Sequence, residues 1–348
     1  EVLRLVPAGN RAKGLEEPVS MKVMEALQDG LILNSWAAYF MAQSKRFVTA
    51  LGIPPERQRF HEKLPKERAH YSAQTYDHEV LLDRWGWVEL AGHAYRTDFD
   101  LKAHTESSGV DMRVFKPYDR PIRKKVRKLV PQLHALGKKL GAATKEVADL
   151  IAGQDVKAFE EMMTSKGYVE VKGYRIDAED VKIVEETVEE TGRRFLPHVV
   201  EPSFGSDRLL YAALEYAYSR EKDRTVLRIP RDLAPVQAVV LPLMAKNGLA
   251  EKAQRLYQTL LDEEFDVEYD EAGSIGRRYA RADEAGVPVA ITVDYDTLTN
   301  DSVTLRNRDT WDQVRTASIE LPRLLRGYIK GRMEFSQLGR PVTKVTED

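Results

Sequence analysis

The sequence contains no cysteine. That excludes disulfides and any thiolate-ligated zinc site. Its seven histidines are scattered without ligand spacing, so no metal centre is expected. No apolar run approaches the ~18 residues of a membrane-spanning helix, and no signal peptide is visible. Neither sign of charge dominates: 53 Lys and Arg face 55 Asp and Glu, for a net charge of −2. Global charge is therefore silent on a nucleic-acid partner, and only local patches could speak for one. There is no low-complexity tract and no internal repeat. The chain opens on Glu1 rather than Met, so it is not expected to be a complete gene product. What is present is 348 residues, 43% hydrophobic and 31% charged. That suits a soluble globular protein with two domains, each able to bury its own core.

Residues 1–19 read as loop, carrying Pro7, Gly9, Gly14 and Pro18. Ser20 can cap a helix from Met21 to about Gln28, which Asp29-Gly30 breaks. A second helix is expected from about Asn34 to Leu51, its Trp36, Tyr39, Phe40, Phe47 and Val48 near helical spacing and assigned to the core. Arg59 to Glu79 is dense in charge and reads by default as solvated surface. Arg84 to Gly92 reads as a strand, with Val88 and Leu90 on one face and Trp87, Glu89 and Ala91 on the other. Arg96 to Leu101 reads as a second strand. Residues 102–192 look like an insertion. From Arg113 to Lys139 there are ten Lys and Arg against the single acid Asp119. Helices are expected around 122–139, 143–151 and 155–165, then a hairpin turning at Lys172-Gly173. An acidic helix capped by Asp177 should follow, reaching about Thr191. The basic run suits either a phosphate backbone or a solvated helical surface. After Arg224, β and α patterns alternate through a closing helix at 310–329, which suggests a separate α/β domain with a mixed sheet.

The stretch with most chemistry is His198 to Leu210. A short β-branched run leads into Glu201-Pro202-Ser203-Phe204-Gly205-Ser206-Asp207-Arg208, and a helix poor in charge follows. Pro202 biases Glu201 towards an extended backbone. Glu201 and Ser203 then share a strand face, and beside Glu89 they should enclose a small polar cavity. Gly205 lets backbone approach a ligand closely. Ser206 and Asp207 are natural caps. Arg208 in the first turn adds a charge-assisted fork to a helix N-terminus that already attracts phosphate. The plainer reading is a capped helix whose Arg pairs with Asp207 or another acid.

Phe-Gly-x-x-Arg opening an apolar helix resembles motif 3 of class II aminoacyl-tRNA synthetases, and Glu-Pro-Ser-Phe-Gly before it looks like the glycyl-tRNA synthetase version. Four further stretches resemble that family in the same order: Ala69-His70-Tyr71-Ser72, Gly86-Trp87-Val88-Glu89-Leu90, Arg96 to Leu101, and Arg278 to Glu284. The resemblance spans roughly residues 20–325. It implies an α+β catalytic domain on an antiparallel sheet at 1–224, with the insertion at 102–192, and an α/β anticodon-binding domain at 225–348. It further implies ATP-dependent attachment of glycine to glycine tRNA through glycyl-adenylate, with ATP and Mg taking part, no zinc and no organic cofactor. The family setting is a cytoplasmic homodimer off the membrane. By the same resemblance, Arg208 and Glu89 serve catalysis. Glu201, Pro202, Ser203, Phe204, Gly205 and Arg96 hold glycine. Glu89, Leu90, Gly205, Ser206, Asp207 and Arg208 hold ATP. Arg96 is the candidate for orienting the two acids.

Two family signatures have no counterpart. Motif 1, the dimer-forming helix and strand, should precede residue 1. So should motif 2, with its α-phosphate Arg; no Phe-Arg-x-Glu string occurs. The chain therefore resembles the C-terminal portion of an archaeal or eukaryote-like synthetase, inactive alone. The competing class is a non-catalytic tRNA- or DNA-binding accessory subunit. Loss of motif 2 favours it, and joint retention of Glu89, Glu201, Ser203 and Arg208 opposes it.

Overall fold

A computed structural model describes residues 1–221 and 224–342. The last six residues of the expected C-terminal domain, 343–348, lie outside them. The chain divides into two compact units, one of residues 1–100 with the chain from 198 onward, the other of residues 101–197. Among the described residues no helix is long and apolar enough to cross a membrane.

The first unit begins with a six-stranded, mostly antiparallel sheet. Its strands are β1 (Val2–Val6), β2 (Val19–Lys22), β3 (Gln58–Glu62), β4 (Gln74–Leu82), β5 (Gly86–Thr97) and β6 (Val199–Phe204). They lie in the order β6-β5-β4-β3-β1-β2, and only β1 and β3 run parallel. The expected loop at 1–19 thus holds strand β1 and a short helix, Ala8–Arg11, before the chain reaches β2. Ser20 and Met21 pair with Arg4 and Leu3, so the helix starts later, at Val23. Leu3 and Leu5 are fully buried, and that burial outweighs the Pro and Gly signals nearby.

Helix α1 (Ser35–Ala50) is capped by Asn34, whose side chain accepts from the backbone N–H of Trp36 and Ala37. The face it buries is not the aromatic stripe. Ala37, Ala38, Met41, Ser44 and Val48 are buried, whereas Trp36, Tyr39 and Phe47 are exposed by 63%, 48% and 46%. Small residues let this helix lie close to the sheet, which turns the larger rings outward. Phe47 meets Phe204 edge-on with ring centres 5.7 Å apart.

The charged run at 59–79 is solvated surface only in its middle, where Lys66, Glu67 and His70 are exposed. Its ends lie in β3 and β4, and Arg59, Glu62 and Asp77 are buried. Arg59 donates to Glu79 at 2.7 Å, and Arg68 and Gln74 donate to Glu62 at 3.1 and 3.0 Å. Charge is tolerated here because the buried groups are ion-paired, Arg59 with Glu79, Glu62 with Arg68 and Asp77 with Lys63.

Two buried histidines follow from this packing. His78 lies between Ser44 and Gln58, at 2.8 and 3.1 Å, and stacks on Phe60. His93 sits between Phe60 and Phe204. Burial, reinforced at His78 by His93, lowers His78 to about 3, and burial alone lowers His93 to about 4. Above pH 6.5 neither the folded nor the unfolded chain protonates these rings. Below it the unfolded chain takes up protons that the folded chain refuses until about pH 4 and 3. Stability should therefore fall with falling pH in this window, by about 1.4 kcal/mol per unit for each ring. Asp77, raised to about 6, works in the opposite sense below that pH. Denaturant unfolding at pH 7 and pH 5 should differ by about 3 kcal/mol, and His93→Phe should remove one ring's share. A flat profile would contradict this account.

The second unit departs most from sequence expectation. The basic stretch is a strand, Val114–Pro131, and it pairs antiparallel with Val181–Phe195, the segment expected as an acidic helix. Arg123 meets Glu189, Lys125 meets Glu185 and Lys128 meets Glu186 across this ribbon. Cross-strand charge matching selects the pairing over two separate helices. Each exposed pair is worth little by itself, but together they spend the basic charge within the protein. The helices Leu133–Leu140, Thr144–Ala152 and Val156–Lys166 form as expected from 133 onward. So does the hairpin, with Lys172 and Gly173 both at positive φ.

After β6 come helix α2 (Ser206–Ala217) and an α/β segment. That segment comprises β7 (Ala238–Pro242), α3 (Leu249–Asp262), β8 (Val267–Tyr269), α4 (Ile275–Glu284), β9 (Val289–Val293), a short helix at Tyr295–Asn300, β10 (Ser302–Asn307), β11 (Gln313–Ala317), α5 (Leu321–Ile329) and β12 (Arg340–Pro341). Its sheet runs β8-β7-β9-β10-β11-β12, parallel in the first three strands and antiparallel beyond. Strand β11 takes part of what was expected as one closing helix. The Arg278–Glu284 stretch lies on α4. Arg278 is buried and donates to the carbonyls of Pro242 and Leu243 at the end of β7. Asp283 is buried against Arg306. This motif therefore holds α4 to its sheet.

Candidate functional site

Strands β6 and β5 carry the site. Their register sets Glu201 opposite Ala94, Pro202 opposite His93, Ser203 opposite Gly92 and Phe204 opposite Ala91. Side chains alternate along a strand, so Glu201 and Ser203 share one face. Pro202 and Phe204 take the other, where Phe204 meets Phe47 and His93.

Glu89 would fall opposite to Gly92 by simple alternation. It does not, because β4 and β5 shift register between His78 and Glu79: Glu79 pairs with Glu89 while His78 pairs with Ala91. This bulge sends Leu90 and Ala91 both to the buried side, so Ala91 does not accompany Glu89 as expected. It also brings Glu89 onto the face of Gly92 and Ser203. A Cβ built on Gly92 would stand 3.9 Å from Glu89 Oε1 and 3.9 Å from Asp77 Oδ1. Glu201, Ser203, Gly92, Glu89 and Asp77 thus line one face. It is open rather than enclosed: the Glu201 and Glu89 side chains are 44% and 38% exposed.

Arg96 is on the same strand and the same face. Its guanidinium forks onto Asp100 at 2.7 and 2.8 Å, donates to Glu201, and lies 3.8 Å from the centre of the Tyr71 ring. The hydrogen bonds from Arg96 to Asp100 and Glu201 raise its pKa further. The sequence segments around Tyr71, Arg96 and Glu201 therefore meet at one point. Arg96 to Leu101 is not a second strand: β5 continues to Thr97, which has positive φ, and a helix begins at Phe99.

Helix α2 starts at the far end of β6. Its N-cap is Gly205, with no side-chain cap from Ser206 or Asp207. Gly205 donates its N–H to the carbonyl of Leu90 at 2.9 Å, and Leu90 itself is buried away from the polar face. Arg208 donates from Nη1 to the carbonyl of Glu89 at 2.5 Å, with the Glu89 carboxylate 3.9 Å away. A Cβ at Gly205 would lie 3.1 Å from Arg208 Nε, so a larger residue there would push the guanidinium aside. The helix is less buried than its apolar composition suggests. Only Ala212 and Ala217 are buried, while Leu210, Tyr211 and Leu214 are exposed.

Sequence reasoning assigned no chemistry to Asp77. It is 7% exposed, and its Oδ1 pairs with the Lys63 ammonium at 3.2 Å. Burial and the Glu89 charge raise Asp77 to about 6, against the lowering effect of Lys63. Its signal in the sequence, an acid two residues before Glu79 in a β-pattern, is too common to single out.

Residues 237–327 match the anticodon binding domain family. Along its length the chain resembles proteins named glycine–tRNA ligase. That of Aeropyrum pernix is 47% identical over 333 residues, covering 95% of this chain and 57% of the relative. That of Pyrococcus horikoshii is 44% identical over 337 residues, covering 95% and 59%. That of Methanothermobacter thermautotrophicus is 41% identical over 326 residues, covering 92% and 57%. The chain thus spans under three-fifths of the length of these relatives. With identity above 40% along more than nine-tenths of its residues, the chain is similar to just over half of a glycine–tRNA ligase.

Proposed function

We propose that this chain provides part of an enzyme that attaches glycine to its tRNA in two steps. The glycine carboxylate first attacks the α-phosphorus of ATP, forming glycyl-adenylate and releasing pyrophosphate. A hydroxyl at the tRNA 3′-end then attacks the activated carbonyl and AMP leaves. The observation that carries this reading is the Glu89–Arg208 contact. It sets acids suited to an ammonium beside a cation suited to a phosphate, at a helix N-terminus.

In this reading residues 1–224 belong to a class II catalytic domain and 225–348 form the anticodon-binding domain. Glu201 and Ser203 line the amino-acid pocket, with Arg96 fixing the Glu201 carboxylate. Gly205 and the first turn of α2 approach the nucleotide, and Arg208 neutralises its outer phosphates. Pro202 and Phe204 take the opposite face of this strand, and Leu90 is buried beneath β5. The first step needs positioning and charge neutralisation more than proton transfer. A magnesium ion would belong to the ATP phosphates; no group of three or more acids and histidines able to hold a metal occurs among the described residues. The rest of such an enzyme, the α-phosphate Arg and the homodimer contact included, lies in the two-fifths of the relatives that this chain does not match. The setting is the cytoplasm.

Glycine-dependent exchange of pyrophosphate into ATP tests this. The chain alone should exchange near background. Supplying a polypeptide matching the unmatched part of the relatives should restore glycine-dependent exchange. Robust exchange by the chain alone would overturn the division of labour. No exchange with the complement, alongside intact tRNA binding, would favour a non-catalytic accessory role.

A further inference from the structure

Asn247-Gly248 is the one Asn-Gly pair in the sequence, and Asp29-Gly30 is the one Asp-Gly pair. Glycine puts no Cβ beside its own amide nitrogen, so in such pairs that nitrogen can attack the preceding side chain and close a cyclic imide. The fold treats the two pairs differently. Asp29 ends the helix Val23–Gln28, and the Gly30 N–H donates to the Leu27 carbonyl at 3.2 Å. That nitrogen is tied into a helix terminus. Asn247 and Gly248 lie in the exposed loop between β7 and α3. No group among the described residues accepts the Gly248 N–H, and a Cβ built there would meet nothing within 4 Å.

The Asn247 side chain is held by a single hydrogen bond among the described residues. Its Nδ2 donates to the Tyr295 hydroxyl at 3.1 Å, at the start of the short helix Tyr295–Asn300, and that hydroxyl donates in turn to Met244 Sδ. Asn247 has φ 59° and Gly248 φ 81°, a region that Asn and Gly enter more readily than other residues. Gly248 caps α3 with no side-chain hydrogen bond, and Leu249, next in the chain, is fully buried. A change of backbone length at residue 247 is therefore felt at once in the core beneath α3.

We propose that Asn247 is a site of spontaneous deamidation, a modification that the fold leaves open here and opposes in its counterpart at Asp29-Gly30. The Gly248 amide nitrogen attacks Asn247 Cγ. A bond forms between them, the Cγ–Nδ2 bond breaks, and Nδ2 departs as ammonia with the proton that the amide nitrogen gave up. Water then adds to either imide carbonyl. Opening on one side gives aspartate. Opening on the other gives isoaspartate, with the main chain rerouted through the side-chain carbons. Nothing is oxidised or reduced, and solvent water is the only co-reactant. The new carboxylate suits the positive N-terminal end of α3. The isoaspartate also adds a methylene to the main chain just ahead of Gly248 and the buried Leu249.

The test is storage of the folded 348-residue chain at neutral and at mildly alkaline pH, followed by peptide mapping with mass spectrometry. Peptides holding residue 247 should gain the mass difference between OH and NH2 and separate into two chromatographic forms. The rate should rise with pH, because the attacking nitrogen must lose its proton. Tyr295→Phe frees Nδ2 and should speed the reaction by about fivefold, the strength of one neutral hydrogen bond. Gly248→Ala should slow it by about tenfold or more through the added Cβ. The isoaspartate form should melt at a lower temperature than the Asn247→Asp variant, which carries the charge without the longer main chain. Equal melting of those two forms would overturn the backbone effect. An unmodified residue 247 after other asparagines have reacted, or isoaspartate forming at residue 29 as fast as at 247, would overturn the proposal. So would a rate unchanged in both Tyr295→Phe and Gly248→Ala.

Discussion

Replacing Asp283 with alanine should destabilise the C-terminal α/β segment by about 3–5 kcal/mol. Asp283 is 1% exposed and receives both Arg306 Nη1 and Nη2, at 2.9 and 3.0 Å, with Arg224 Nη1 at 3.2 Å. Arg306 is itself buried, its guanidinium against the Tyr279 and Trp311 rings. Removing the acid leaves that guanidinium desolvated and unpaired, which is far costlier than losing the pair altogether. The double replacement Asp283→Leu with Arg306→Met should therefore recover most of the loss. Denaturant unfolding of the single and double variants distinguishes the cases. If the double variant is no more stable than Asp283→Ala, the cost lies in packing rather than in a stranded charge. This pair also accounts for the Arg278–Glu284 stretch: its acid ties α4 to β10, and its first residue ties α4 to β7.

In an enzyme reconstituted with a polypeptide matching the rest of the relatives' length, Arg208→Ala should slow adenylate formation by about thirty- to a thousandfold, from the ~2–4 kcal/mol that one charge-assisted contact supplies at a desolvated phosphate. Glycine binding should be spared. The structure sharpens this expectation. Arg208 forms no buried ion pair: its side chain is 53% exposed and its hydrogen bond goes to the Glu89 carbonyl. It can turn to a phosphate without stranding a buried acid. If Arg208 served only to brace Glu89, the variant would lose glycine affinity and leave the dependence on ATP unchanged. Separate glycine and ATP titrations of the exchange reaction resolve the two roles. Gly205→Ala should weaken ATP use in the same direction, since its Cβ would crowd Arg208 Nε.

Much of the site is legible from the sequence because its information is local. Strand, glycine turn and helix follow from the residue types between Val199 and Ala217, and the shared face of Glu201 and Ser203 follows from the pleat. The β/α alternation after Arg224 is equally local in its central strands β7 and β9, short β-branched runs, and in the amphipathic helices, whereas β11 reads as part of the closing helix. Only the tertiary structure decided the rest. One bulge opposite His78 and Glu79 reverses which of Glu89, Ala91 and Gly92 share a face, and no residue type announces a bulge. The ribbon of 114–131 with 181–195 depends on complementary charges some sixty residues apart, whereas each segment read alone is merely charged. The stripe of Trp36, Tyr39 and Phe47 has helical spacing, but spacing does not say which face meets the sheet; close approach selected Ala37, Ala38 and Met41. Asp77 shows the same limit at the site itself. The sequence supplies its carboxyl group. Its burial and its place beside Gly92 and Glu89 exist only once β4 and β5 pair, because contacts across a sheet join residues that the chain keeps apart.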